Sequence, residues 1–221
     1  MNPILSIKNL SHRYTNKTGA VSVLNDVDLT VGAGQMVGLF GDSGSGKTTL
    51  LLNCGTMLRP SQGSVEIQGV SVYNVSPSER VKIRAHTIGY LFQTLQLIPY
   101  LTLYENLCLP SGSTQQAADN WLQQIGLADW ANHKPEALSQ GQRQRGALGR
   151  ALVHQPKLLI ADEPTGNLDR KNSELVFQVL RTFADSGGAV LVASHDPIIE
   201  TYADTCLTLQ NGSLKEMAQT P

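Results

Sequence analysis

Gln35-Met36-Val37-Gly38-Leu39-Phe40-Gly41-Asp42-Ser43-Gly44-Ser45-Gly46-Lys47-Thr48-Thr49-Leu50 is the stretch that decides the fold. A short apolar run, strand-like in length, ends at a glycine-rich turn, and the residues from Lys47 to Leu58 then read as a helix. Gly41 to Thr48 satisfies G-x-x-x-x-G-K-[ST] between a strand and a helix, the context a phosphate loop requires. Glycines let the backbone curl so that successive N–H groups point at phosphate oxygens, and the helix start adds the positive end of its dipole. Lys47 is placed to reach the β- and γ-phosphates, and the Thr48 hydroxyl to ligate Mg²⁺. This pattern alone leaves kinases, GTPases and motor ATPases open.

Working outward, Leu158-Leu159-Ile160-Ala161-Asp162-Glu163 reads as a buried strand ending in two carboxylates. Side chains alternate along a strand, so the adjacent acids point differently. Asp162 is then free to hold the Mg²⁺ shell while Glu163 faces the γ-phosphate and polarises an attacking water. Between the two motifs stands Leu138-Ser139-Gln140-Gly141-Gln142, followed by Arg143-Gln144-Arg145. A Ser-x-Gly opening an amphipathic helix makes a second anion site, with a hydroxyl from Ser139 and an unobstructed N–H from Gly141.

The rest of the chain alternates strands with helices. Residues 4–8, 23–31, 64–68, 87–92, 158–162 and 189–194 read as strands. Helical spacing recurs at Trp121, Leu122 and Ile125 after Thr114, at Ala147, Leu148, Ala151 and Leu152, and at Val176, Val179, Leu180 and Phe183. Asn211-Gly212 reads as a hairpin turn between two short final strands. The expected fold is α/β, a P-loop NTPase core with a mainly parallel sheet, an antiparallel β subdomain and an inserted α-helical subdomain. One domain spans 1–221: 1–92 and 156–221 form the ATP-binding core with its β subdomain, and 93–155 the helical subdomain with the Ser139 helix.

Composition bounds the function. Of 221 residues 41% are hydrophobic, which supports a sizeable core, and 17 Lys plus Arg against 18 Asp plus Glu leave no electrostatic footprint for nucleic acid. Cys54, Cys108 and Cys206 stand in no metal or redox spacing and are expected as reduced thiols. The start shows no secretory signal, and no window reaches the roughly 18 uninterrupted apolar residues of a spanning helix. If the protein serves a membrane, another polypeptide must span it.

Phosphate loop, Leu138–Gln142 and the Asp-Glu strand, in this order, resemble the nucleotide-binding subunit of an ATP-binding cassette (ABC) transporter, over essentially the whole chain. That resemblance implies an ATPase using ATP and Mg²⁺, in which two subunits, here expected as identical copies, pack head to tail. Each ATP then lies between the phosphate loop of one subunit, Gly41 to Thr49, and the partner's Ser139, Gly141 and Gln142. By the same resemblance Gln93 contacts Mg²⁺ and water and senses the membrane partner. His195 is the switch histidine at the γ-phosphate, Asp169 lies in the loop that speaks across the dimer, and Tyr14 stacks on adenine. Asp169 equally suits the N-cap of a helix over 170–184. Asp42 stands where the family often has proline, and Gln140 where it more usually has glycine. Gly146 and Gly149, each costing roughly 1 kcal/mol of helix propensity, are expected to allow close packing against the partner subunit.

Asp162-Glu163-Pro164-Thr165-Gly166-Asn167-Leu168-Asp169, with Phe92-Gln93 and Leu97-Ile98-Pro99, resembles the branch of lipoprotein-releasing and macrolide-exporter ATPases. The implied partner is an integral membrane permease, and the implied place is the cytoplasmic face of the inner membrane. Leu95, Leu97, Tyr100, Leu103 and Tyr104 form an apolar cluster beside Gln93, expected to dock the permease or to pack the helical lobe. The competing readings are an importer ATPase, a cell-division or regulatory ATPase, a soluble family member acting on DNA or ribosomes, and a small-molecule kinase. The last leaves Leu138–Gln142 and His195 without a role.

Overall fold

In a computed structural model, the described residues are 3–16, 19–166 and 168–217, so Asn167 of the Asp162–Asp169 stretch lies outside them. The strands are β1 (Leu5–Asn16), β2 (Gly19–Val31), β3 (Met36–Phe40), β4 (Gln62–Ile67), β5 (Val70–Ser71), β6 (Ile88–Leu91), β7 (Leu158–Asp162), β8 (Ala189–Ala193), β9 (Thr205–Gln210) and β10 (Ser213–Glu216). The helices are α1 (Lys47–Cys54), α2 (Pro77–Thr87), α3 (Leu103–Cys108), α4 (Gln115–Gln124), α5 (Gln140–Leu152), α6 (Arg170–Asp185) and α7 (Ile199–Tyr202).

Two sheets form. An antiparallel one has the order β2-β1-β4-β5, and a six-stranded one the order β10-β9-β3-β8-β7-β6, parallel except for the terminal β9–β10 hairpin. The expected α/β architecture is therefore present. Strands β7 and β8 are buried at every position, as strands covered on both faces must be. Alternate residues divide between two cores. Leu158, Ile160, Leu191 and Ala193 join α1 and the antiparallel sheet, while Leu159, Ala161, Val190 and Val192 join α5 and α6. Parallel pairing of β8 with both β3 and β7 puts their carboxyl ends side by side, where ligands of open parallel sheets bind.

A third core, around Leu103, Leu107, Leu122, Ile125 and Leu127, belongs to the helical insertion, and α5 contributes to this lobe's packing and to the sheet core. Here two expectations change. Leu103 is fully buried and does not line a docking groove. A Cβ on Gly146 would stand 2.6 Å from Leu103 Cδ1, and one on Gly149 2.9 Å from Ile125 Cδ1. Both glycines thus let α5 approach its own lobe, not a partner subunit.

Helix α1 also stops at Cys54, short of the expected Leu58, because the chain turns through Thr56 at φ 61° while Met57 and Leu58 both donate back to the Leu52 carbonyl. Asn211 and Gly212 both take positive φ, as a two-residue hairpin of this kind demands. No helix among the described residues is long and apolar enough to cross a membrane.

Candidate active site

A cavity of about 670 Å³ opens at the carboxyl ends of the central strands, lined by the turn from Gly41 to Thr49 (Ser45 excepted) with Val23, Gln93, Asp162, Glu163 and His195. The turn joins β3 to α1. Gly46 takes φ 107°, and a Cβ there would lie 2.9 Å from Val23 Cγ1 and 3.1 Å from the Val23 carbonyl, so only glycine fits. The first helical hydrogen bond runs from Leu50 N–H to the Gly46 carbonyl, which leaves the amides of Lys47, Thr48 and Thr49 at the helix start for an anion. No acid stands in that first turn.

Lys47 folds back over the loop. Its Nζ donates to the carbonyls of Gly41 (2.5 Å) and Asp42 (3.2 Å) and stands 4.0 Å from Glu163 Oε1. The ammonium thus points at the mouth of the phosphate turn, with neutral carbonyls as partners that a phosphate oxygen would outcompete.

Asp162 ends β7 and is almost fully buried. Its Oδ1 has no hydrogen-bond partner among the described residues. Burial pushes its carboxyl above the ordinary carboxylate range, against the opposing pull of the Thr48 hydroxyl. A buried carboxylate oxygen without a partner, beside a hydroxyl at a phosphate turn, suits Mg²⁺, which takes one or two protein oxygens and fills its shell from phosphates and water. Among the described residues no group of three or more His, Cys, Asp and Glu could cage a metal by itself.

Glu163 leaves the strand in the left-handed region, φ 47°, with its amide donating to the Ala193 carbonyl at 2.8 Å. That twist turns its carboxylate, 11% exposed, to His195, whose Nδ1 lies 2.9 Å from Oε2. The His195 ring is itself 71% exposed. The two loops are also pinned together. Thr165 Oγ1 donates to Asp196 Oδ2 at 3.2 Å, and Asp196 Oδ1 accepts the Ile198 amide at 3.1 Å.

Other expected site residues lie outside this cavity. Ser139 caps α5 in a reciprocal box with Gln142: the Gln142 amide donates to Ser139 Oγ (3.2 Å) and the Ser139 amide to Gln142 Oε1 (2.7 Å). Gly141 is buried one residue into that helix. Asp169 caps α6, accepting the Asn172 amide at 2.8 Å. Tyr14, 44% exposed, does not line the cavity either; its hydroxyl lies 3.3 Å from Thr49 Oγ1, and its ring meets His12 edge-on. One chain therefore assembles the phosphate turn, the acids, Gln93 and His195, and leaves Ser139, Gly141, Gln142 and Asp169 elsewhere on its surface and core.

Three further residues stand outside the expected set: Val23, which walls the cavity, and Asp196 and Thr165, which fix its loops. The residues Asp196-Pro197 after a strand end were the available signal, an acid placed to form a turn.

Residues 24–166 match the family model described as ABC transporter. The lipoprotein-releasing system ATP-binding protein LolD of Shewanella sp. (strain MR-4) is 38% identical, over 98% of this chain and 97% of its own length. An uncharacterized ABC transporter ATP-binding protein, YvrO of Bacillus subtilis, is 35% identical over 96% of this chain and 95% of its own. Among solved structures, the dimeric post-hydrolysis state of the ATP-binding cassette MJ0796, bound to ADP and Pi, superimposes with a TM-score of 0.89. It is 32% identical and covers 98% of this chain and 100% of its own.

Proposed function

This chain belongs to the ABC transporter family as an ATP-binding, ATP-hydrolysing subunit, and on that premise we propose that two copies close head to tail on ATP and drive a permease of the lipoprotein-releasing kind. The observation that carries the chemistry is Glu163, its shielded carboxylate held between Lys47 Nζ and His195 Nδ1 inside the phosphate cavity.

In this reading the amides of the Gly41–Thr49 turn take the phosphates, and Lys47 exchanges its two carbonyl partners for the β- and γ-phosphate oxygens. Thr48 and Asp162, with Gln93 beside them, would hold Mg²⁺, which when bound neutralises charge on the transferring phosphoryl group. Glu163 accepts the proton of the attacking water. His195 holds that carboxylate in place and, from its exposed position, also reaches the γ-phosphate. Tyr14, beside Thr49, supplies a face for the adenine.

Ser139, Gly141 and Gln142 lie away from the chain's own cavity, so they serve the γ-phosphate held by the other copy, with Asp169 alongside. A charged γ-phosphate buried between subunits favours the closed pair, and hydrolysis removes that preference. Leu95 and Leu97 are half-buried beside Gln93, and Tyr100 is 72% exposed. Together with Tyr104 they offer the permease an apolar foothold next to the residue that contacts the nucleotide site. The 38% identity to a relative named as a lipoprotein-releasing ATP-binding protein supports that branch, and with it a peripheral position on the cytoplasmic face of the inner membrane.

The test uses tagged Glu163→Gln with ATP as bait in gently solubilised host membranes. A co-purifying membrane protein with few spanning helices and a large external domain, lost in Tyr100→Asp, is the expected result. Only soluble or ribosomal partners would overturn the transporter assignment to a permease.

A further inference from the structure

The start of α5 and the start of α6 are joined by one side chain. The Asn172 amide nitrogen Nδ2 donates to both Asp169 oxygens at 3.0 Å, and its Oδ1 accepts from Arg145 Nη1 at 2.7 Å. The same side chain lies over Gly141, where a Cβ would stand 2.7 Å from Asn172 Oδ1 and 2.8 Å from Cγ. Arg145 is half-buried, its Nε is shielded and has no hydrogen-bond partner in the described structure, and Asn172 Oδ1 anchors the guanidinium through Nη1.

We propose that Asn172 is a positioning residue that locks Gly141 at the head of α5 to the Asp169 turn at the head of α6, so that the two meet the partner's nucleotide as one rigid surface. This rests on the head-to-tail pair proposed above. The geometry explains why Gly141 is glycine: a methyl group there would push the amide away from Arg145 and Asp169 together. It also makes the two surfaces dependent on each other. Loss of the side-chain amide leaves Asp169 held only by the Asn172 backbone N–H and takes from the half-buried Arg145 guanidinium its anchor, and neither group lies in the chain's own phosphate cavity. Damage therefore falls on closure between copies and spares ATP binding by a single copy.

The experiment is done in a Glu163→Gln background, expected to hold ATP without turning it over. The protein concentration at half-dimerisation with ATP is read by sedimentation, and the affinity of dilute monomer for a fluorescent ATP analogue by titration. Asn172→Ala, and Asn172→Asp, which keeps the shape but sets a carboxylate against Asp169, should each raise the half-dimerisation concentration about tenfold or more, with monomer affinity within about twofold. Adding Arg145→Ala to Asn172→Ala should cost less than the sum of the two changes made singly. An unchanged half-dimerisation concentration would overturn the proposal, as would an equal loss of monomer affinity, which marks a general folding defect. A Glu163→Gln parent that stays monomeric with ATP would overturn the head-to-tail pair itself and this inference with it.

Discussion

Glu163 Oε2 lies 2.9 Å from His195 Nδ1, and the contact exists because Glu163 leaves β7 at φ 47° while its amide stays bonded to Ala193 of β8. A left-handed φ in a non-glycine residue is strained, and here the strain aims a carboxylate into the phosphate cavity. Replacing His195 with Ala should leave ATP affinity almost unchanged and lower hydrolysis by roughly 10²- to 10⁴-fold, the range of positioned acid–base groups. Steady-state turnover beside nucleotide titration checks this; a loss of affinity without loss of turnover would place His195 in binding instead.

Lys47 Nζ is held by two carbonyls and stands 4.0 Å from the Glu163 carboxylate. Lys47→Ala should weaken ATP binding on the order of a hundredfold, the worth of a strong charge-assisted bond. The fold should survive, since the lost partners are two backbone oxygens and the Glu163 carboxylate at the cavity edge, none of them in the core. A titration with a fluorescent analogue, with circular dichroism as the control, reads both.

Asp162 is raised by burial, with the Thr48 hydroxyl opposing. An acid whose folded pKa exceeds its unfolded one binds its proton more tightly when folded. The nucleotide-free protein therefore loses stability as pH rises through the unfolded carboxylate range toward the raised value. Asp162→Asn removes that loss, and melting curves between pH 4 and 7, as experimental settings of about that span, should show a smaller fall in Tm than for the parent. The same variant should lose the stabilisation that Mg²⁺ with ATP gives the parent. An identical pH response in both proteins would mean that Asp162 is not the desolvated group.

Gly146→Ala puts a methyl group 2.6 Å from Leu103 Cδ1. The gain in helix propensity is outweighed by overpacking, so a net destabilisation of about 1–3 kcal/mol is expected. Leu103→Ala should destabilise on its own by about 2–5 kcal/mol, and the pair by less than the sum. Denaturant unfolding of the three variants measures the coupling; strict additivity would contradict the contact.

The fold was readable where the chemistry is local. A strand, a glycine turn and a helix contiguous from Gln35 to Cys54 announce themselves, as do β7 and β8, whose every residue is buried and apolar until the acids. Helix α2 went unread because it buries no residue and so shows no apolar stripe. Its capping box, Ser76 with Glu79, followed by Pro77, was the signal available. The roles of Gly146 and Gly149 misled for a related reason: a glycine in a helix states that something approaches, not what, and the neighbours are 43 and 24 residues away, at Leu103 and Ile125. Leu103 looked like groove and is core, since helical spacing does not tell a lobe's interior from a face beside it. Nothing local marks Asn172, whose partners Asp169, Gly141 and Arg145 come from two helix starts.

The most direct test is the mass and turnover of Glu163→Gln with ATP. Light scattering on a size-exclusion column should show a pair of chains that persists with ATP and disperses with ADP, beside a turnover reduced by at least about a hundredfold. A variant that hydrolyses ATP like the parent, or stays a single chain in saturating ATP, would contradict the assignment of Glu163 as the base and the closure of two copies on ATP.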